Sequence, residues 1–292
     1  MDEQCLACGN IAKQRTKIKD HSISKEVFTI GFCEECGFAV TEDAPPINTI
    51  GKYYESEDYI SHSDTKSGLI SSLYHIIRQR MLKSKYALIS RFSKRKQLLD
   101  IGSGTGYFLG YMQAQGYSVS GVEVSASAAR ISHSKFGIKP ITPDDFLAQN
   151  VQIKYDIVTL WHVMEHLHDL PIWWNKIRSV LDDQGVLIVA LPNYASTDGQ
   201  HYKSFWAGYD VPRHLWHWTP RAFETMANKY DFVLIEKRHM PYDPFYNSLL
   251  SEKYKHSNFQ YARAFFVGMH AWWIGLKDVD KASSVIYILR KN

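Results

Sequence analysis

The sequence predicts an α/β protein built on a doubly wound, largely parallel sheet, with a small metal-binding module in front of it. Two observations predict this. Beyond residue 97, short apolar runs alternate with helical stretches: QLLDI, YFLGYMQAQ, SVSGVEV, ASAARISHSKF, YDIVTLW, a helix reaching Val180, and GVLIVALP. Such alternation marks strands joined by crossover helices. Before that region, all four cysteines fall in the first 36 residues as Cys5-x2-Cys8 and Cys33-x2-Cys36.

Composition agrees with a folded chain. The 292 residues are 45% apolar and 22% charged, enough for a full core and about two structural units. The opening MDEQCLACGN is acidic and polar, so no secretory signal is expected and the expected compartment is the cytoplasm. The apolar tract Ala264 to Leu276 contains His270 and falls short of the ~20 residues a membrane span needs, so none is expected. The net charge of +4 is uneven: residues 66–96 hold nine Lys and Arg and no acid. One segment is therefore basic, and net charge alone excludes neither small-molecule nor nucleic-acid partners.

The first element, residues 1–45, reads as a zinc-ribbon-like module. Two Cys-x2-Cys pairs bring four thiolates to one tetrahedral centre, and the glycine after each pair lets the backbone turn under the metal. Disulfides do not suit a chain without a secretory signal, and a redox pair needs no second copy. Zinc fits best, because the strand KEVFTIGF lies between the pairs as in a ribbon; iron suits the same four ligands. Residues 46–96 read as a linker followed by a basic amphipathic helix. Leu69, Leu73, Ile76, Ile77, Met81, Leu88, Ile89 and Phe92 recur at helical spacing opposite Arg78, Arg80, Lys83, Lys85 and Arg91. Residues 97–292 form the α/β domain, with a loop at 193–219, a helical insert at 245–275, and SVIYILRK as the last strand.

The first strand of that domain runs into Asp100-Ile101-Gly102-Ser103-Gly104-Thr105-Gly106, directly before a helix. Glycines at this spacing let the backbone approach a ligand at the helix N-terminus, which implies a nucleotide-like cofactor. The dinucleotide fingerprint is not met, because Tyr107 stands where its third glycine belongs. Glu123, at the end of the second strand, can accept both hydroxyls of a ribose. TPDDF places Asp144 or Asp145 near a base edge, beside Phe146. The fourth strand delivers Trp161, His162 and Glu165 to the carboxyl edge of the sheet, where open α/β folds bind ligands. His162-x2-Glu165-His166 also matches the HxxEH pattern of a zinc protease, but the glycine loop and strand order argue against one.

LLDIGSGTGYFL, GVEVS, DIVTLWHVMEHLHD and GVLIVALPN together resemble class I S-adenosylmethionine-dependent methyltransferases, over residues 97–240. The resemblance implies a Rossmann-like, seven-stranded sheet with a final antiparallel strand, and S-adenosylmethionine as cofactor. By position, Gly102, Ser103, Gly104 and Gly106 would surround the methionine portion. Asp100 would order the loop, Glu123 would hold the ribose, and Asp145 with Phe146 would border adenine. Trp161 and His162 would lie near the sulfonium.

The loop 193–219 combines Tyr194, Tyr202, Phe205, Trp206, Tyr209, Trp216 and Trp218 with His201, His214, His217, Asp210 and Arg213. Aromatic walls suit a planar or sugar-like acceptor, Arg213 can grip an anion, and His214, His217 or His162 are the catalytic candidates. DVPRHLWHWTP resembles a segment in a subgroup of these methyltransferases, some acting on sugars or quinone-like phenols. A metal ribbon before such a core resembles the sugar C-methyltransferases, which carry a further large domain that has no counterpart here. The expected activity is methyl transfer to a small-molecule or glycan-linked acceptor, sugar or phenol-like. An RNA methyltransferase using the ribbon and basic helix is one alternative, and a non-catalytic cofactor-binding subunit is another.

Overall fold

The computed structural model describes residues 4–10, 14–54, 69–149 and 153–292. The part of the expected linker from residue 55 on, with Lys66 and Gly68, lies outside the described residues, as do the side chains of 69–74. The strands are β1 (Gln14–Lys19), β2 (Val27–Phe32), β3 (Ala39–Thr41), β4 (Gln97–Ile101), β5 (Ser118–Val122), β6 (Tyr155–Trp161), β7 (Leu181–Pro192), β8 (Trp216–His217), β9 (Phe232–His239) and β10 (Ser284–Lys291). The helices are α1 (Leu69–Ile89), α2 (Tyr107–Ala114), α3 (Ala126–Phe136), α4 (Pro143–Ala148), α5 (Leu170–Val180), α6 (Thr197–Tyr202), α7 (Pro220–Lys229), α8 (Asp243–Tyr254) and α9 (Gln260–Lys277).

Six strands form the main sheet in the order β5-β4-β6-β7-β10-β9. The first four are parallel, and β10 runs antiparallel to both β7 and β9. The last strand is thus antiparallel, as the sequence predicts. The central strands are buried on both faces, which is why they read as unbroken apolar runs. Leu98, Ile157, Ile188 and Ile288 pack on one face with Leu82, Phe108 and Leu109. Leu99, Val158, Leu160 and Tyr287 pack on the other with Trp174 and Phe223. Each such fully buried side chain contributes about 1.5–3 kcal/mol of transfer free energy.

The expected seventh strand is reduced to one residue. Ile141 bridges Val122 in parallel, donating its N–H to the carbonyl of Gly121 and accepting from the N–H of Glu123, each at 3.0 Å. Pro140 immediately before it has no N–H to add to a ladder, which stops the pairing there. The helical insert is two helices, α8 and α9, and no described helix is long and apolar enough to cross a membrane.

The N-terminal module is a four-stranded antiparallel sheet, β1-β2-β3-β8. Its fourth strand comes from the 193–219 loop, so the module and the main domain share a sheet. They also share a core: Cys5, Cys33, Cys36 and Phe38 are packed in the same buried cluster as Leu99, Trp218 and Phe223. Phe38 stacks on Trp216 with ring centroids 5.8 Å apart and meets Trp218 edge-on at 4.9 Å.

Candidate active site

The glycine loop leaves β4 and is pinned to β5, since the N–H groups of Gly102 and Ser103 donate to the Val122 carbonyl at 2.8 and 3.0 Å. Gly106 has φ +80°, and a Cβ there would come within 2.3 Å of Ser132 Oγ and 3.2 Å of Ser132 Cα. This glycine lets α2 start hard against α3. Gly104 differs: with φ +55°, its Cβ would meet nothing within 4 Å, so its bare backbone faces open space. Glu123 lies beside it, one carboxylate oxygen accepting from Gly104 N–H and the other from Ser125 N–H, both at 2.7 Å. Each oxygen keeps a lone pair for a further donor. A loop with an open glycine and a carboxylate fixed at its rim fits the ribose and amino-acid portion of a nucleoside cofactor.

Asp100 sits under the loop, where Thr159 Oγ1 donates to it at 2.6 Å. Burial pushes its carboxyl up to about 7, against the opposing pull of that hydrogen bond and of Lys85. Lys85 comes from the basic helix α1. Its ammonium lies over the Trp161 ring, 4.0 Å from the centroid, and burial lowers it to about 8. Trp161 also meets Phe108 edge-on at 5.8 Å.

His162 follows β6 in a left-handed conformation, φ +57°. Nε2 lies 3.0 Å from Asp243 Oδ2 and Nδ1 lies 3.4 Å from Glu165 Oε1. Burial disfavours its charge, but the two carboxylates more than offset this and raise it to about 10. His162 is therefore an imidazolium at neutral pH, and the three-residue cluster carries a net negative charge. Asp243 begins α8 inside the insert, and neither it nor Lys85 was among the residues expected here. Lys85 reads in the sequence as part of a cationic face, and Asp243 as an ordinary first-turn acid of a helix. Only the tertiary packing brings them to β6.

Elsewhere the structure departs from the expectations. Phe146 is 2% exposed, and its ring stacks on Trp173 at 6.0 Å inside the core. The Asp145 carboxylate accepts from Thr142 Oγ1 at 2.7 Å, while Thr142 Oγ1 accepts from Asp145 N–H, which caps α4. Arg213 grips anions, but they are the chain's own. Its guanidinium is 1% exposed and donates to Asp20 and Asp210, at 3.0 and 2.7 Å from one nitrogen, and to the Tyr53 carbonyl at 3.0 Å.

The aromatic residues of 193–219 are largely buried as well. Tyr202, Trp206 and Trp218 are 1–3% exposed, Trp206 Nε1 donates to buried Asp198 at 2.8 Å, and Tyr194 Oη donates to the Gly37 carbonyl at 2.7 Å. They form the joint between the N-terminal module and the main sheet, not an open aromatic wall. His217 Nε2 lies 2.9 Å from Thr41 Oγ1, and His214 Nδ1 lies 2.9 Å from the Gly208 carbonyl. Burial holds His214 down at about 4 and His217 well below the usual histidine range. Both are neutral and both tie the loop down.

The cysteines meet as the spacing predicts. Cys5 and Cys36 sulfurs are 3.6 Å apart, Cys8 and Cys33 sulfurs 3.5 Å, and all four lie within 4.8 Å of one another without a disulfide. A tetrahedral ion with metal–sulfur bonds of about 2.3 Å puts its sulfurs about 3.8 Å apart, so the cluster fits one metal. Some of the basic charge of 66–96 is met internally: the Arg78 guanidinium covers the Tyr107 ring at 4.0 Å, Arg91 pairs with Glu236 at 3.1 Å, and Arg95 pairs with Asp182.

Comparison with known proteins agrees with this geometry. Residues 74–237 match a family described as a methyltransferase domain. A ubiquinone biosynthesis O-methyltransferase from Nitrobacter winogradskyi is 29% identical over 133 residues, 43% of this chain and 48% of the relative. One of the same name from Glaesserella parasuis is 30% identical over 108 residues, covering 34% and 46%. The chain thus spans about half the length of these curated relatives. Among solved structures, magnesium protoporphyrin IX methyltransferase from Synechocystis PCC 6803, with bound SAH, superposes with a TM-score of 0.53. The two share 14% identity over 84% of this chain and 100% of that one. A SAM-dependent methyltransferase from Archaeoglobus fulgidus gives 0.50 at 18% identity, covering 73% and 94%. These structures share the fold, and the matched family covers more than half of the 292 residues. The chain belongs to the methyltransferase domain family and has the Rossmann-like fold of S-adenosylmethionine-dependent methyltransferases.

Proposed function

We propose that the protein methylates an oxygen of a small, phenol- or quinol-like acceptor. The observation that carries this reading is the single constellation at the carboxyl ends of β4, β5 and β6: an open Gly104 backbone, Glu123 at its rim, and the His162 cluster opposite. The names of the curated relatives support an oxygen acceptor of quinone-precursor type. When bound, S-adenosylmethionine supplies an electrophilic methyl on a sulfonium. Glu123 accepts the ribose hydroxyls with its remaining lone pairs, and the glycine loop holds the amino-acid portion. Asp100, fixed by Thr159, keeps the loop in register with β4.

The cluster of His162 with Asp243 and Glu165 is net negative, which favours a cationic centre beside it. His162 already holds its proton, so it orients and does not act as the base. Rate enhancement then comes chiefly from proximity and alignment of the acceptor oxygen with the methyl carbon. The four-cysteine cluster holds zinc and folds the N-terminal module, without chemistry of its own. Incubation with methyl-labelled donor and a panel of catechols and hydroquinones tests the proposal. Label in a methyl ether supports it, whereas label recovered only on RNA or on nitrogen overturns it.

A further inference from the structure

Helix α9 turns its side chains the opposite way from an ordinary surface helix, which buries its large apolar residues. Ala264, Gly268, Ala271 and Gly275 form its buried stripe. Their small size seats the helix flush on its neighbours: a Cβ on Gly268 would come within 3.0 Å of Phe245 Cα in α8, and one on Gly275 within 3.1 Å of Ala282 Cβ. The large apolar side chains point outward instead. Tyr261 and Phe266 are 73% and 70% exposed, Phe265 and Trp273 are each 52% exposed, and Met269 and Leu276 are exposed as well.

At about 100° of rotation per residue, these six side chains fill an arc of about 140°, with Phe266 and Trp273 opposite the buried stripe. The rings of Phe265 and Phe266 meet at 5.7 Å. Single exposed apolar residues are ordinary, but six on one helix face make a continuous patch of the kind that marks an interaction site. Arg263, His270 and Lys277 border the arc on one side, and residues 260–277 contain no Asp or Glu. The acids around the insert are already taken: Asp243 by His162 at 3.0 Å, Glu252 by Arg263 at 3.4 Å, Asp278 by Lys281 at 3.7 Å and Asp280 by Lys237 at 2.6 Å. Lys253 and Lys277 have no carboxylate partner among the described residues, and the Lys277 ammonium lies over the Trp273 ring, 4.8 Å from its centroid.

We propose that α9 seats the protein on an anionic phospholipid bilayer, lying in the plane of the headgroups with its aromatic arc inserted. An acid-free aromatic face bordered by cations is complementary to such a surface: the rings settle at the boundary between headgroups and acyl chains, and Lys and Arg reach the phosphates. The helix is not long and apolar enough to cross the bilayer, so it lies on it. A second copy of the chain fits the face less well. A two-fold, antiparallel pairing of α9 would set the Arg263 end of one helix against the Lys277 end of the other, with no acid in either helix to neutralise them.

Flotation of the full-length protein with vesicles tests this, using phosphatidylglycerol and phosphatidylcholine in equal parts beside phosphatidylcholine alone. The wild type should float with the mixed vesicles, bind phosphatidylcholine alone far more weakly, and lose binding in high salt. The double variant Phe266→Ser with Trp273→Ser should lower the partition by about tenfold or more, and Lys253→Glu with Lys277→Glu should lower it on the mixed vesicles. All four side chains are on the surface, so Tm should not move, and Val27→Ser, which removes an exposed apolar residue from the N-terminal module, should float as the wild type does. A wild type that does not float, or a double serine variant that floats as well as Val27→Ser, overturns the proposal. A wild-type dimer by light scattering that the serine variant makes monomeric, with neither protein floating, overturns it in favour of a second copy. No methyl donor or acceptor enters this assay, so its outcome is independent of the proposed reaction.

Discussion

Replacing Arg213 with alanine tests whether the N-terminal module and the main domain are one cooperative structure. The guanidinium is 1% exposed and bridges Asp20, whose side chain is fully buried, to Asp210, about a fifth exposed. Removing one partner of a buried ion pair costs about 3–5 kcal/mol. The lower end applies here, because Asp20 keeps the N–H groups of Ser22, Ile23 and Ser24 and the hydroxyls of Ser22 and Ser24 at 2.8–3.1 Å, and water can reach Asp210. About 3 kcal/mol corresponds to a fall in Tm of about 6–12 °C for a chain of this size class. The loss also has a pH signature. Burial tends to raise the Asp20 carboxyl, but Arg213 and the surrounding N–H groups hold it well below the usual carboxylate range. A depressed pKa contributes stability above about pH 4 that disappears as the pH falls. The gap between wild type and Arg213→Ala should therefore be widest near pH 7 and shrink below pH 4, read by calorimetry or urea unfolding at several pH values. A Tm within about 2 °C of wild type at pH 7 would show that the bridge does not couple the two parts.

Two further perturbations separate structure from binding. Gly106→Ala forces a Cβ into Ser132 as well as a left-handed backbone worth about 1–2 kcal/mol, so its urea midpoint should fall clearly. Gly104→Ala carries only the backbone strain, yet should weaken S-adenosylhomocysteine binding at least tenfold, because its methyl enters the open cradle; unchanged affinity would remove Gly104 from the donor site. Stripping the cysteine-bound metal with a strong chelator should lower Tm and expose four reactive thiols, since Cys5, Cys33 and Cys36 are packed in the core shared with the main sheet. Thiols that stay unreactive, with Tm unmoved, would argue that no metal is bound there.

Much of the fold was legible because its signals are local. QLLDI running into GSGTG, Glu123 after the next strand, and YDIVTLW before His162 are short segments whose burial and turns follow from their own residues. The two Cys-x2-Cys pairs fix their own geometry in the same way. What escaped depends on partners far along the chain. Arg213 meets Asp20, 193 positions away, and that contact turns an apparent anion grip into a structural clamp. The aromatic residues of 193–219 resemble an acceptor pocket until the N-terminal module covers them. Lys85 and Asp243 reach the His162 region only through the packing of α1 and α8. The missing seventh strand was readable in principle from Pro140, which cannot donate to a ladder.

The central claim is that the glycine loop and Glu123 hold a methyl donor. Calorimetric titration of the purified protein with S-adenosylhomocysteine, run beside NAD, tests it most directly and requires no acceptor. A dissociation constant in the micromolar range, about −8 kcal/mol, is predicted, weakened about a hundredfold by Glu123→Ala as two hydrogen bonds to the ribose are lost. Absence of heat up to about millimolar S-adenosylhomocysteine, with saturation by NAD instead, would contradict the account and assign the loop to dinucleotide binding.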